Sequence, residues 1–351
     1  MADTGNEVVL HQAAGASLGA MPSGSKKKHW RWPAIFIAAA FLLVVLSSVV
    51  ARSGSVSVRK VTAIRFDPTL MGRLAKAEMT GLCVRPKQER IGLPAEVLPS
   101  KSGVDARTNV PPDLVADLAA AIGGLPAPIA SAFERYVCSV VLITGLGATG
   151  MTVKLEREPA RSVILLNVDN LDRSANAWVS FKESSFFGTA DGLAIVGKLA
   201  AQEDGNRRVL LGYLITHELG HVLKDALPKD PRIAAFDRTC WPRRDAFKDF
   251  SLRPYAAAQG AEPLHEINLE PLYDFIAASC FPSLTAAMNP GEDFADSLAL
   301  YSHSVLLGRP WQVSAYRNGE LSRRLKSCWS DARCQRKRQA LERLLVGFRT
   351  P

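Results

Sequence analysis

Two histidines four residues apart, His217 and His221, enclose a carboxylate at Glu218 in the run Leu-Ile-Thr-His217-Glu218-Leu219-Gly220-His221-Val-Leu. The chain has only six histidines in 351 residues, so two in one turn draw attention. On a helix, residues i and i+4 stack on one face, and both imidazoles can then reach a single metal ion. Glu218, beside the first imidazole, can hold a water against that ion and take its proton. The flanking Thr216, Leu219, Gly220 and Val222 are uncharged, which suits a buried helix. Leu210, Leu211, Leu214, His217 and His221 fall on or near one face of a helix expected over 207–227.

These residues resemble the HExxH signature of the zincin metallopeptidases. The metzincin branch continues as HExxHxxGxxH. Here Lys224 and Leu227 occupy the last two positions, which excludes that branch. The thermolysin-like gluzincin branch takes its third zinc ligand from a glutamate on a second helix, with an acidic group four residues later. Glu292 and Asp296, in Asn289-Pro290-Gly291-Glu292-Asp293-Phe294-Ala295-Asp296, offer that ExxxD pattern. The resemblance implies that His217, His221 and Glu292 bind Zn²⁺, that Glu218 is the catalytic general base, and that Asp296 accepts the second imidazole proton of His217. It further implies hydrolysis of a protein or peptide substrate by zinc-activated water. The residues alone leave another reading of Glu292: Asn289 as N-cap, Pro290 at N1 and Glu292 at N3 form a capping box that needs no metal. His265, Glu266 and His303 are the alternative third ligands. His303 stands eleven residues beyond Glu292, about 16 Å along a helix, too far for both to reach one ion. Tyr301 points about 180° from Glu292, so no oxyanion donor is assigned.

The elements that must position these groups follow from patterning. Helices are expected over 112–122, stopped by Gly123-Gly124, and over 126–136. The β-branched runs 138–144, 151–156 and 162–168 read as strands, with 177–181 a fourth. Asn176-Ala177-Trp178 lies where zincins place the edge strand that pairs with substrate. From about Arg207 the chain reads as mostly helical. The expected fold is α+β: an antiparallel or mixed, zincin-like sheet on the HExxH helix, then a helical lobe. Gly145, Gly147 and Gly150 match the dinucleotide pattern GxGxxG, but no helix can open at the third glycine before Pro159. The glycines therefore read as a hairpin turn.

Residues 34–51 form an uncharged run, AIFIAAAFLLVVLSSVVA, long enough for one membrane-spanning helix. Trp30 and Trp32 lie at its start, and Lys26–Lys28 with Arg31 precede it. The positive-inside rule makes 1–33 a cytoplasmic tail and places the rest outside, periplasmic or extracellular. The rival reading is a signal peptide cleaved after Ala51. Residues 52–110 read as a stalk merging into a catalytic domain over 111–351. Six cysteines, all after the apolar run, suggest disulfides in an oxidising compartment, with nearest-neighbour pairs 83–138, 240–280 and 328–334.

Apolar residues make up 47% and charged residues 22%, which excludes a disordered, collagen-like or polytopic membrane chain. The net charge of +9 favours anionic partners such as a lipid surface, but no nucleic-acid motif is present and none is expected as a partner. The basic stretch 321–350 reads as a solvated helical face. The expected protein is a single-pass membrane-anchored zinc peptidase. The alternatives are a non-catalytic cell-envelope binding module and a zinc hydrolase of a non-peptide cell-wall amide.

Overall fold

Two runs dominated by β-branched and leucine side chains, Val137–Ile143 (β2) and Ser162–Asn167 (β4), are buried at every position. Such continuous burial is the mark of strands covered on both faces, and β2 and β4 indeed pair in parallel. Ile91–Pro94 (β1) adds in parallel to β2, and Gly150–Lys154 (β3) adds antiparallel to β4. The sheet order is β1-β2-β4-β3, a mixed sheet with β3 at one edge. These features belong to a computed structural model that describes residues 91–94, 110–144, 146, 148–155, 161–187, 191–202, 207–241 and 269–348. The chain divides into two units, Met1–Lys60 and Val61–Pro351, and every described residue belongs to the second.

Pro112–Gly123 (α1) starts on a proline at its first turn and stops at Gly124. Ala127–Tyr136 (α2) leads directly into β2. Both pack against Arg207–Ala226 (α4), the helix of the two histidines. Around these lie Ala175–Ser184 (α3), Leu193–Lys198 (β5), Pro231–Cys240 (α5), Leu269–Ala278 (α6), Pro290–Tyr301 (α7) and Ala332–Val346 (α8). A π-helical turn, Ser302–Leu306, follows α7. A second sheet, β5-β6-β7, is closed by the hairpin of Gln312–Arg317 (β6) and Glu320–Lys326 (β7). The whole is a mixed helix-and-sheet fold. Among the described residues no single helix is long and apolar enough to cross a membrane.

Several expectations are corrected. Residues 177–181 are not a strand but the middle of α3, capped where Ser174 Oγ accepts from the Ala177 amide at 3.2 Å. The buried positions Ala175, Trp178, Val179 and Glu183 follow a helical period, which five residues are too few to reveal. Asn176-Ala177-Trp178 is therefore not an edge strand. The Asn176 side-chain oxygen instead accepts from the Leu199 and Ala200 amides, at 2.7 and 2.8 Å. No hairpin joins β2 to β3, because β3 crosses beyond β4 and pairs with it. Among the described residues after Arg207 the chain is mostly helical, as expected, with the β6–β7 hairpin intervening. Within the stretch 52–110, read as a stalk merging into the domain, residues 91–94 pair into the sheet, and the remainder of that stretch up to residue 109 lies outside the described residues.

The basic stretch 321–350 is not one solvated helical face. Its first residues form β7, Lys337 on α8 is wholly buried, and Arg333 donates to the Ile276, Ser279 and Phe281 carbonyls. Disulfides join Cys240 to Cys280 and Cys328 to Cys334, as nearest-neighbour pairing anticipates. Cys138 is also disulfide-bonded, while Cys83 lies outside the described residues. The segment 34–51, its flanking Lys26–Lys28, Trp30, Arg31 and Trp32, and the residues His265, Glu266 and Arg349 lie outside them too.

Candidate metal centre

Helix α4 passes between two partners. On one side it packs on α7, and on another it meets the edge strand β3. At its crossing with α7 the contact is backbone to backbone: a Cβ on Gly220 would collide with Ala295 Cα. That glycine brings the axes close enough for side chains of α7 to reach those of α4. Lys224, one turn further on, donates to the Pro290 carbonyl at 2.5 Å and to Asp237 Oδ1 at 2.7 Å, tying α4 to the first turn of α7.

Helix α7 is buried from Glu292 through Tyr301. It begins as its sequence suggests, with Asn289 Oδ1 accepting from the Glu292 amide at 2.9 Å and Pro290 at the first helical position. The Glu292 carboxylate turns to the histidines. Its Oε2 is 3.3 Å from His217 Nε2, its Oε1 is 3.5 Å from His221 Nε2, and the two Nε2 atoms are 3.3 Å apart. The Glu292 amide thus serves the cap while its carboxylate faces the histidines. A four-coordinate ion with bonds of about 2.0–2.1 Å separates its ligand atoms by about 3.3–3.4 Å. The spacing of the two nitrogens, and of each from its nearer Glu292 oxygen, is close to that size, and nitrogen and carboxylate donors suit a transition-metal ion. His217, His221 and Glu292 could hold a metal ion, and among the described residues they are the one group of this kind.

The groups behind the triangle also fit. Asp296 lies one turn after Glu292 and is fully buried. Its Oδ1 stands 3.3 Å from His217 Nδ1, which has no aligned hydrogen bond. Tyr213 donates to the same Oδ1 at 2.5 Å, Lys182 Nζ approaches it at 3.1 Å, and Ser283 Oγ donates to Oδ2. Burial opposes ionisation of Asp296, yet Lys182, His217 and Ser283 together hold its carboxyl well below the usual range. Burial would lower the His217 imidazole, but the Asp296 and Glu292 carboxylates flanking it raise it to about 10. Burial likewise works against the charged form of Glu292, and the two imidazoles overcome it and lower its pKa.

Glu218 faces the edge strand. Thr152 Oγ1 on β3 donates to its Oε2 at 2.9 Å, and a Cβ on Gly150 would collide with its Oε1. Gly150 thereby leaves room for a carboxylate. Burial raises the Glu218 carboxyl above its ordinary range, against the pull of His221, His217 and Thr152.

The fold brings together His217, Glu218, His221, Glu292 and Asp296. It does not bring in His303, which sits in the π-helical turn with Nε2 3.0 Å from the Pro310 carbonyl. Tyr301 hydroxyl reaches Glu342 Oε1 at 3.3 Å instead. Sequence reasoning passed over Gly150, Thr152, Lys182, Tyr213 and Ser283. Tyr213, four residues before His217 on the same helical face, carried a usable signal. Lys182 and Ser283 carried none. No protein-family model, no curated protein and no solved structure matches the chain.

Proposed function

We propose that the chain is a zinc-dependent peptidase of the zincin type, resembling the thermolysin-like branch. In this reading His217, His221 and Glu292 hold the metal and Glu218 is the general base. The observation that carries it is the convergence of two imidazole nitrogens 3.3 Å apart on the two oxygens of one carboxylate, at 3.3 and 3.5 Å, with a buried carboxylate on the residue after His217. When bound, zinc would polarise a carbonyl and make water acidic enough to attack it near neutral pH.

The chain's own residues supply the rest. Thr152 fixes one oxygen of Glu218, and the bare Cα of Gly150 leaves space at the other. Glu218 takes the proton of the attacking water and later delivers it to the leaving amine. Asp296 keeps His217 turned with Nε2 toward the shared point. A peptide substrate is favoured by β3, which ends the sheet order and turns Gly150 and Thr152 toward Glu218. An extended chain adding alongside that edge would lay an amide beside the base. The zincin role expected of Asn176-Ala177-Trp178 passes to β3.

The same reading keeps the chain at a membrane, with 34–51 as its anchor and the domain outside the cytoplasm. The disulfides Cys240–Cys280 and Cys328–Cys334 support an oxidising compartment.

The test is hydrolysis of a peptide mixture by the full chain and by Glu218→Gln. The variant keeps both imidazoles but cannot accept a proton. Zinc should stay near one per chain while cleavage falls by about 10²–10⁴. Full activity in Glu218→Gln would overturn the peptidase reading. Zinc bound with no peptide cleaved would move the assignment to a different amide.

A further inference from the structure

We infer that Lys182 is a positioning residue for the metal, acting through Asp296: its ammonium holds the Asp296 carboxylate against the His217 imidazole. The inference rests on the metal reading above and concerns a residue on α3, 114 positions away from Asp296.

Lys182 is placed rather than trailing in solvent. Its Nζ lies 3.1 Å from Asp296 Oδ1, and its side chain is 17% exposed against 0% for its partner. The ammonium is 5.6 Å from the ring centres of both Trp178 and Tyr213, so two aromatic faces flank it. Trp178 is itself fixed, its Nε1 donating to Thr149 Oγ1 at 3.2 Å. Tyr213 donates to the same Oδ1 that Lys182 approaches, and Ser283 takes the other oxygen. The carboxylate is therefore held at both oxygens, with Oδ1 left pointing at His217 Nδ1, 3.3 Å away.

Charge explains why one of these partners is a cation. Glu218, Glu292 and Asp296 bring three carboxylates into one buried place; a fourth carboxyl, Glu183 beside Lys182, is pushed by burial toward its neutral form and is left out of this count. With neutral imidazoles, a divalent ion cancels two of these charges and leaves one. Two hydroxyl donors, Tyr213 and Ser283, do not cancel it. A buried anion without a counter-charge is costly, and it relaxes by taking a proton or turning toward water. Either change would release His217 Nδ1. Lys182 supplies the missing positive charge at the carboxylate that touches the ligand without being one. A carboxylate behind a ligand imidazole typically alters metal affinity about 10–100-fold, and Lys182 borrows its effect from that contact.

The competing account makes Lys182 a strut between α3 and α7 with no bearing on metal. Zinc affinity, read by competition with a chromophoric chelator, separates the two on the full chain. Four proteins are compared: wild type, Lys182→Met, Asp296→Asn and the double variant, with Lys182→Ala replacing Lys182→Met if the latter does not fold. Lys182→Met should weaken zinc binding about tenfold or more. The double variant should be no weaker than Asp296→Asn alone, because the lysine acts only through that carboxylate. Wild-type affinity in Lys182→Met, with only its thermal midpoint lowered, would overturn the inference. So would losses that multiply in the double variant. A wild-type chain that holds no zinc overturns the metal reading itself, a result visible before any lysine variant is made.

Discussion

Gly220 on α4 and Ala295 on α7 meet so closely that a Cβ on the glycine would collide with Ala295 Cα, between the same two helices that bring Glu292 to the histidines. Replacing a mid-helix glycine by alanine ordinarily stabilises a helix by about 0.5–1 kcal/mol. Here the added methyl has no room, and pushing packed helices apart costs about 1–3 kcal/mol. The steric effect wins. Gly220→Ala should lower the thermal midpoint and weaken zinc binding together. A variant as stable as wild type, with unchanged zinc affinity, would show that the helices can separate without cost.

Asn289 and Glu292 divide two jobs that sequence alone could not separate. Asn289→Ala removes a cap and should cost about 1 kcal/mol of stability with zinc retained. In the zinc reading Glu292→Ala removes a ligand oxygen, so zinc should be lost. Asp296→Asn should lie between them, about 10–100-fold weaker in zinc affinity. Zinc content and thermal midpoints of the three variants check the ordering. Zinc kept at one per chain in Glu292→Ala would leave the glutamate as part of a cap only.

Glu183, beside Lys182, is buried, and its Oε1 has no hydrogen-bond partner among the described residues. Burial raises its carboxyl from 4.5 to about 7, against the pull of Lys182. Between those values the folded chain keeps a proton that the unfolded chain has released. Stability is therefore full below 4.5 and declines as pH rises toward 7, by at most on the order of 3 kcal/mol. Glu183→Gln should abolish this part of the decline. Urea unfolding of chelator-treated wild type and variant at pH 4.5 and pH 7.5 measures it, and parallel pH slopes would contradict the assignment.

Lys337 and Asp293 form an ion pair with both side chains fully buried, and Asp293 also accepts from Trp241 Nε1 at 2.8 Å. Removing one charge strands the other. Lys337→Met should cost about 3–5 kcal/mol, while Lys337→Met with Asp293→Leu should recover most of that loss. Chemical denaturation reads both. A double variant as unstable as the sum of its parts would contradict the pairing.

The centre was legible where its spacing is local. His217 and His221, and likewise Glu292 and Asp296, are one-turn pairs whose helices declare themselves by pattern and cap. Gly150 stood out in the sequence as a third glycine of GxGxxG, but its use is to leave room for Glu218 from 68 positions away in the chain, which no motif encodes. Lys182 was hidden because it follows Ala177–Phe181, an apolar run too short to separate strand from helix, which the structure makes part of α3. The β6–β7 hairpin did carry a signal. Asn318-Gly319, both at positive φ, is the two-residue turn that such hairpins prefer. Lys337 reads as a surface charge on a basic helix, and only its meeting with Asp293 explains its burial.

The central claim is that one metal ion sits where His217, His221 and Glu292 converge. Anomalous diffraction at the zinc absorption edge, on crystals of the chain purified without chelator, tests it most directly. A single strong peak is expected about 2 Å from Nε2 of both histidines and from a Glu292 carboxylate oxygen. A zinc-loaded crystal with no peak there, or with its peak held by other residues, would contradict it.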